Sequence, residues 1–261
     1  MIFRLALLLV ALSLPALNQA ESHALQRALG LFNSGKYDEC LALVSAYLRQ
    51  NPNSATAHKI LGTDQYTLGR SAEALTEMKR AIELAPNDAD AFYYLGRLYF
   101  SADNAVAALA AFQRAIRLDA SSVRAHNHLG QTYEALGRQG EAERAYLTAI
   151  ELEQNSSNKS EWPYYNLGLL YLNDGQVDNA LLFLRKALAR NASFPEAKIK
   201  LAVLLSKQNL TDEALRLLQE ALKSDPANAE GHYRLGLLLL KSGKREEAQQ
   251  QLALFERYRK R

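Results

Sequence analysis

The chain holds a single cysteine, Cys40, so no disulfide can close within it. No Cys/His pair stands at zinc-ligand spacing either. No block of one charge dominates: the net charge is only +3, which is too weak to imply nucleic acid by itself. Glycines recur singly, without the strand-loop-helix context of a phosphate-binding loop. There is one apolar run, Leu5–Leu14, and it is shorter than the roughly 20 residues of a membrane span. These absences remove the usual starting points for a metal enzyme, a nucleotide enzyme, a disulfide scaffold and a multi-span membrane protein.

That apolar run belongs to Met1–Ala20. Arg4 supplies a positive start, Pro15 ends the run, and Ala16 and Ala20 follow. This is the layout of a secretory signal peptide. The expected location is periplasmic or secreted, with no stable membrane span after cleavage. An uncleaved N-terminal anchor is the alternative.

What the rest of the chain has is a repeat. Leu61-Gly62, Leu95-Gly96 and Leu129-Gly130 are spaced 34 apart. Within Ala55–Asp88 the pair is followed by Gly69, Ala74, Ala81 and Pro86, and the same pattern returns along the chain. Four extra residues, Ser157–Ser160, interrupt the period inside a polar run that reads as a loop. The units are 21–54, 55–88, 89–122, 123–156, 161–194, 195–228 and 229–261. Each predicts two antiparallel helices, because its apolar and small residues recur at three-or-four spacing. Ser54, Asp88, Ser122, Ser160 and Asn228 precede first helices and are expected N-caps. Asp103 replaces the turn glycine of its unit. In the last unit Gln249 and Glu256 stand where other units carry apolar residues, the polar face expected of a terminal repeat.

Period and pattern resemble the tetratricopeptide repeat over nearly all of the chain after Ala20. The resemblance implies an all-α solenoid, a right-handed superhelix of seven helix-turn-helix units with a concave groove. It also implies a non-enzymatic scaffold for protein binding, without a cofactor. Envelope assembly or secretion is the expected setting. A permanent structural subunit of a larger envelope complex is the alternative; an accessory module for a separate enzyme is a third reading.

In such a fold one stripe of each first helix lines the groove. Here it offers Tyr66, Tyr93, Tyr94, Phe100, Trp162, Tyr165 and Tyr233, with Lys59, Arg97 and Arg124 as cations. Aromatics and arginine together are common interface anchors. The expected ligand is a protein or peptide with an acidic or carboxyl-terminal segment, and no nucleic acid. Of the two-carboxylate clamp known in the family, only Lys59 and Arg124 agree in charge type. His58, His126 and His232 share the fourth place of their units, where the family carries an aromatic, so packing is their expected role. Asn155, Asn158, Asn191 and Asn209 begin N-glycosylation patterns that matter only in a secreted eukaryotic protein. Arg257–Arg261 is basic, as suits a helix C-terminus.

Overall fold

The structure is a computed structural model that describes residues 23–156 and 159–259. The signal-peptide reading of Met1–Ala20 lies outside the described residues. Those described form fourteen helices and no strand. The chain divides into two compact units, Met1–Ala120 and Ser121–Arg261.

The first unit contains α1 (residues 23–33), α2 (Tyr37–Gln50), α3 (Ala55–Thr67), α4 (Ser71–Leu84), α5 (Ala89–Ser101) and α6 (Ala105–Leu118). α3 packs against α4 and α5 against α6; α2 meets α3, α4 meets α5, and α3 touches α5. The second unit contains α7 (Val123–Ala135), α8 (Gln139–Gln154), α9 (Trp162–Asn173), α10 (Val177–Arg190), α11 (Pro195–Lys207), α12 (Thr211–Ser224), α13 (Ala229–Lys241) and α14 (Arg245–Tyr258). Successive helices pack pairwise there too, and first helices touch directly in α7 with α9 and α11 with α13. Each unit is therefore a helical solenoid of repeat pairs.

Small residues set the helix spacing. Cys40, Ala74, Ala108, Ala142, Ala180, Ala214 and Ala248 are the twentieth residues of their repeats, and all are fully buried. The eighth residue is glycine or alanine because the twenty-fourth lies against it. A Cβ on Gly62 would meet Met78, on Gly168 Leu184 and on Gly236 Leu252. The two largest partners, Phe112 and Tyr146, face Gly96 and Gly130. A small residue thus buys room for a large one, and the pair stays close-packed.

All seven turns within helix pairs use the left-handed backbone region. Gly35, Gly69, Gly137, Gly175 and Gly243 have φ between 70° and 78°; Asp103 and Asn209 do the same at 56° and 62°. The caps follow the sequence in part. Ser54, Asp88 and Asn228 accept from the backbone N–H of Ala57, Ala91 and Gly231. Ser122 is the N-cap of α7 but makes no side-chain cap bond. The expectation for Ser160 is corrected: Glu161 is the N-cap of α9, which opens with Trp162-Pro163. Proline is favoured in a first turn, so it sets this start one residue later than the repeat spacing does.

In four repeats the fourth residue ties its first helix to a neighbour. His58 Nδ1 meets Glu77 at 2.5 Å, and its Nε2 meets the Pro52 carbonyl at 2.9 Å. His232 repeats this with Gln251 at 2.8 Å and the Pro226 carbonyl at 3.1 Å. Lys198 pairs with Glu220 at 3.1 Å. Tyr164 donates to Glu153 Oε2 at 2.8 Å. At His58 and His232 the expected packing role becomes a hydrogen-bonded bridge.

After the four-residue insertion, the restored register is held by Glu153, which is completely buried at the end of α8. Its carboxylate takes Arg190 at 3.1 Å, besides Tyr164, and its Oε1 accepts from the Ser160 backbone at 3.4 Å. A buried carboxylate is stable only with such a full set of partners.

Candidate groove-face site

The residues expected to line a groove belong to two separate units. In the first, α3 and α5 place an arginine among tyrosines. The Arg97 guanidinium lies 4.8 Å from the Tyr66 ring centroid and 5.9 Å from those of Tyr93 and Tyr94. Its Nη2 donates to the Tyr66 hydroxyl at 3.4 Å. Cation–π attraction holds the guanidinium among the rings. Tyr93 is buried and packs edge-on against Tyr94, so it supports the nest from beneath. Tyr66, Tyr94 and Phe100 are half-buried.

Lys59 is already engaged. Its ammonium donates to Asp88 Oδ2 at 2.6 Å, while Asp88 Oδ1 caps α5. It serves the joint between two repeats. Arg124 is exposed on α7, in the second unit. The structure therefore brings Arg97 together with Tyr66, Tyr93 and Tyr94 and gives Lys59 a separate partner.

In the second unit, Trp162 is exposed and stands over buried neighbours. Its ring centroid is 5.9 Å from Tyr165 and 4.9 Å from Phe194. Tyr165 is buried, and its hydroxyl is pushed up to about 12 by burial, with Glu196 and Glu230 adding to the effect. Phe194, which the groove spacing does not include, completes the cluster. Further along, α13 exposes Tyr233, Leu237 and Leu240. Tyr233 packs on Phe255 at 5.0 Å and lies beneath Arg234 at 5.6 Å.

Charges on this face are linked across repeats. Glu230 accepts from Lys200 at 2.8 Å and from Arg234 at 3.4 Å. Burial alone would raise the Glu230 carboxyl, but Lys200 and Arg234 hold it below the usual range. Asn166 donates to Asn127 Oδ1 at 2.9 Å between α9 and α7, both buried. Deeper in the first unit lies a carboxyl that the sequence did not single out. Asp64 is fully buried on α3, and among the described residues no side chain donates a hydrogen bond to either of its oxygens.

Among the described residues, no helix is long and apolar enough to cross a membrane. The first helices of each unit offer aromatic side chains and cations. That chemistry suits binding to polypeptide.

Comparison with known proteins agrees with the fold. No curated protein matches the sequence. Among solved structures, the protein YrrB, titled a TPR protein with an unusual peptide-binding site, is 25% identical with a TM-score of 0.50; the match covers 68% of this chain and 90% of that one. Pseudomonas aeruginosa pilF is 22% identical with a TM-score of 0.70, covering 78% and 91% of the respective chains. PilW, titled a widely conserved type IV pilus biogenesis factor, is 16% identical with a TM-score of 0.66, covering 76% and 90%. The last two likenesses show the fold alone. Two models described as tetratricopeptide repeat match residues 61–123 and 107–158, and residues 171–220 and 207–258. With these matches over most of its length and seven helix pairs in its structure, the chain belongs to the tetratricopeptide-repeat family, whose fold supports scaffolds for protein–protein interaction.

Proposed function

We propose that this chain is an exported, non-enzymatic scaffold that holds an extended peptide or a partner subunit against the exposed faces of its first helices. The observation that carries the reading is the set of side chains left uncovered on those faces: Trp162, Tyr233, Leu237 and Leu240. Large apolar groups grouped with arginine on one surface mark an interaction site more than a solvated one. Repeat helices hold these groups rigidly, so the ordering cost of binding falls mainly on the ligand. The peptide-binding site named for YrrB, at 25% identity, supports the same class of ligand. Export rests on Arg4, the short apolar run and the small residues after it. The expected setting is envelope assembly or secretion.

Pull-down from native envelope with mass spectrometry tests this reading. A partner captured in a stoichiometric amount, and lost when Trp162 and Tyr233 are replaced by serine, is the expected result. A chain that stays in the cytosol with Met1 intact, or that captures the same proteins with and without those side chains, overturns it.

A further inference from the structure

Between α11 and α13 the second unit has a recess of about 240 Å³. This is below the roughly 300–1,000 Å³ of small-molecule pockets, and it suits one bulky side chain. Buried Leu218 and Leu238 form its floor, and Val203 and Leu237 add apolar wall. Leu237 is 41% exposed, an uncovered leucine beside an opening.

Three cations surround this apolar space: Lys207, Arg234 and Lys241. Their charges are poorly matched within the chain. Among the described residues Lys241 Nζ donates only to neutral oxygens, the Ser206 carbonyl and Asn209 Oδ1, each at 3.3 Å. Lys207 has no ion-pair partner among the described residues. Arg234 shares the single carboxylate of Glu230 with Lys200, and its own contact is long, at 3.4 Å. The Arg234 Nε is a buried donor that bonds nothing. A buried donor without an acceptor is destabilising, and a ligand carboxylate that reaches it removes that cost.

We propose that this recess binds one large apolar side chain of a partner polypeptide, flanked along its own chain by carboxylates. The apolar side chain fills the space over Leu218 and Leu238. Carboxylates before and after it reach Arg234 on one side and Lys207 and Lys241 on the other. A chain terminus supplies one carboxylate next to its side chain; cations on several sides of the recess call for more than one. The occupant is therefore an internal acidic segment containing a leucine-like residue. The inference rests on the scaffold reading above and names its ligand at one place.

The test uses the full chain and a short fluorescent peptide, capped at both ends, with one leucine between paired glutamates. Anisotropy titration at low salt measures Kd. Lys241→Gln and Arg234→Gln are each expected to weaken binding by about tenfold, with wild-type helical circular dichroism. Leu237→Ser should weaken it comparably. Lys79→Gln, which removes the same charge from the exposed face of α4, should leave Kd unchanged. Exchanging the peptide leucine for serine, or its glutamates for glutamines, should abolish binding. Higher salt should weaken it.

Equal affinity of wild type, Lys241→Gln and Leu237→Ser for the peptide overturns the recess while leaving any captured partner intact. So does tighter binding of an uncapped peptide whose leucine is its last residue, or binding to phosphatidylglycerol vesicles with none to the peptide. Failure of the scaffold reading looks different: no partner is captured from the envelope at all.

Discussion

Gly96 lies directly beneath the ring of Phe112: a Cβ on Gly96 would stand 2.6 Å from a ring carbon of Phe112. The ring is fully buried and cannot swing away into solvent. Gly96→Ala is therefore expected to destabilise the chain by about 1–3 kcal/mol through overpacking. Gly30, in α1, has nothing within 4 Å of the same hypothetical atom. Gly30→Ala should stabilise by up to about 1 kcal/mol through helix propensity. Thermal melts of the two variants check the contrast, and equal shifts in one direction would refute it.

Asp64 predicts a pH dependence. Burial, and then the Asp38 carboxylate, push its carboxyl from 3.8 up to about 6, against the opposing pull of Arg70. Between those values the folded chain binds more protons than the unfolded one. Stability should therefore fall as pH rises from about 4 to about 6 and level off above. Asp64→Asn removes the buried charge and should be more stable than wild type at pH 7 by about 1–3 kcal/mol. That advantage should shrink towards pH 4. Denaturant unfolding at both pH values measures it; an advantage that grows on acidification contradicts the assignment.

The turn at Asp103 carries strain that five of its six counterparts avoid. Its φ of 56° is the left-handed region, which five equivalent turns fill with glycine. The penalty for an L-residue there is about 1–2 kcal/mol, partly offset by the entropy that glycine loses on folding. Asp103→Gly should raise stability by about 0.5–1 kcal/mol, read as an increase in Tm. A lower Tm would mean that the Asp103 side chain contributes more than the strain costs.

Glu153 should be the most sensitive residue near the insertion. Replacing it by alanine leaves Arg190 and the Tyr164 hydroxyl without their shared acceptor, a loss expected to reach about 3–5 kcal/mol. It also frees the Ser160 amide, whose hydrogen exchange should accelerate. A double-mutant cycle of Glu153→Ala with Tyr164→Phe should show a coupling of about 0.5–3 kcal/mol. Additive effects would mean that the two do not act as a unit.

The sequence shows where α3, α5, α7, α11 and α13 begin, because a period carried by paired small and large residues can be counted. It misplaces the start of α9 by one residue, since Pro163 outweighs Ser160 in setting that first turn. Spacing also sorts residues onto faces, and Tyr66, Tyr94 and Arg97 do come together. It does not weigh what covers a face. Tyr165 falls in the groove stripe, yet Trp162 and Phe194 close over it, and Phe194 comes from the residue that caps the next first helix. Lys59 reads as a free cation because its partner Asp88 lies 29 residues away and is recognisable only as a cap. Asp64 has no local signal at all: one aspartate at a repeat position that carries no motif looks like surface until its neighbours are in place.

The bridges of His58 and His232 bear on how such a chain lengthens. Each imidazole has one side-chain partner inside its own repeat, Glu77 or Gln251, and one backbone carbonyl in the repeat before, at Pro52 or Pro226. A gene duplication copies the side-chain partner along with the histidine. The other acceptor belongs to the peptide backbone and is present whatever side chain the preceding repeat carries. A duplicated repeat of this kind brings half of its fastening with it and finds the other half already in place, so the array can gain a member without a matching mutation in its new neighbour.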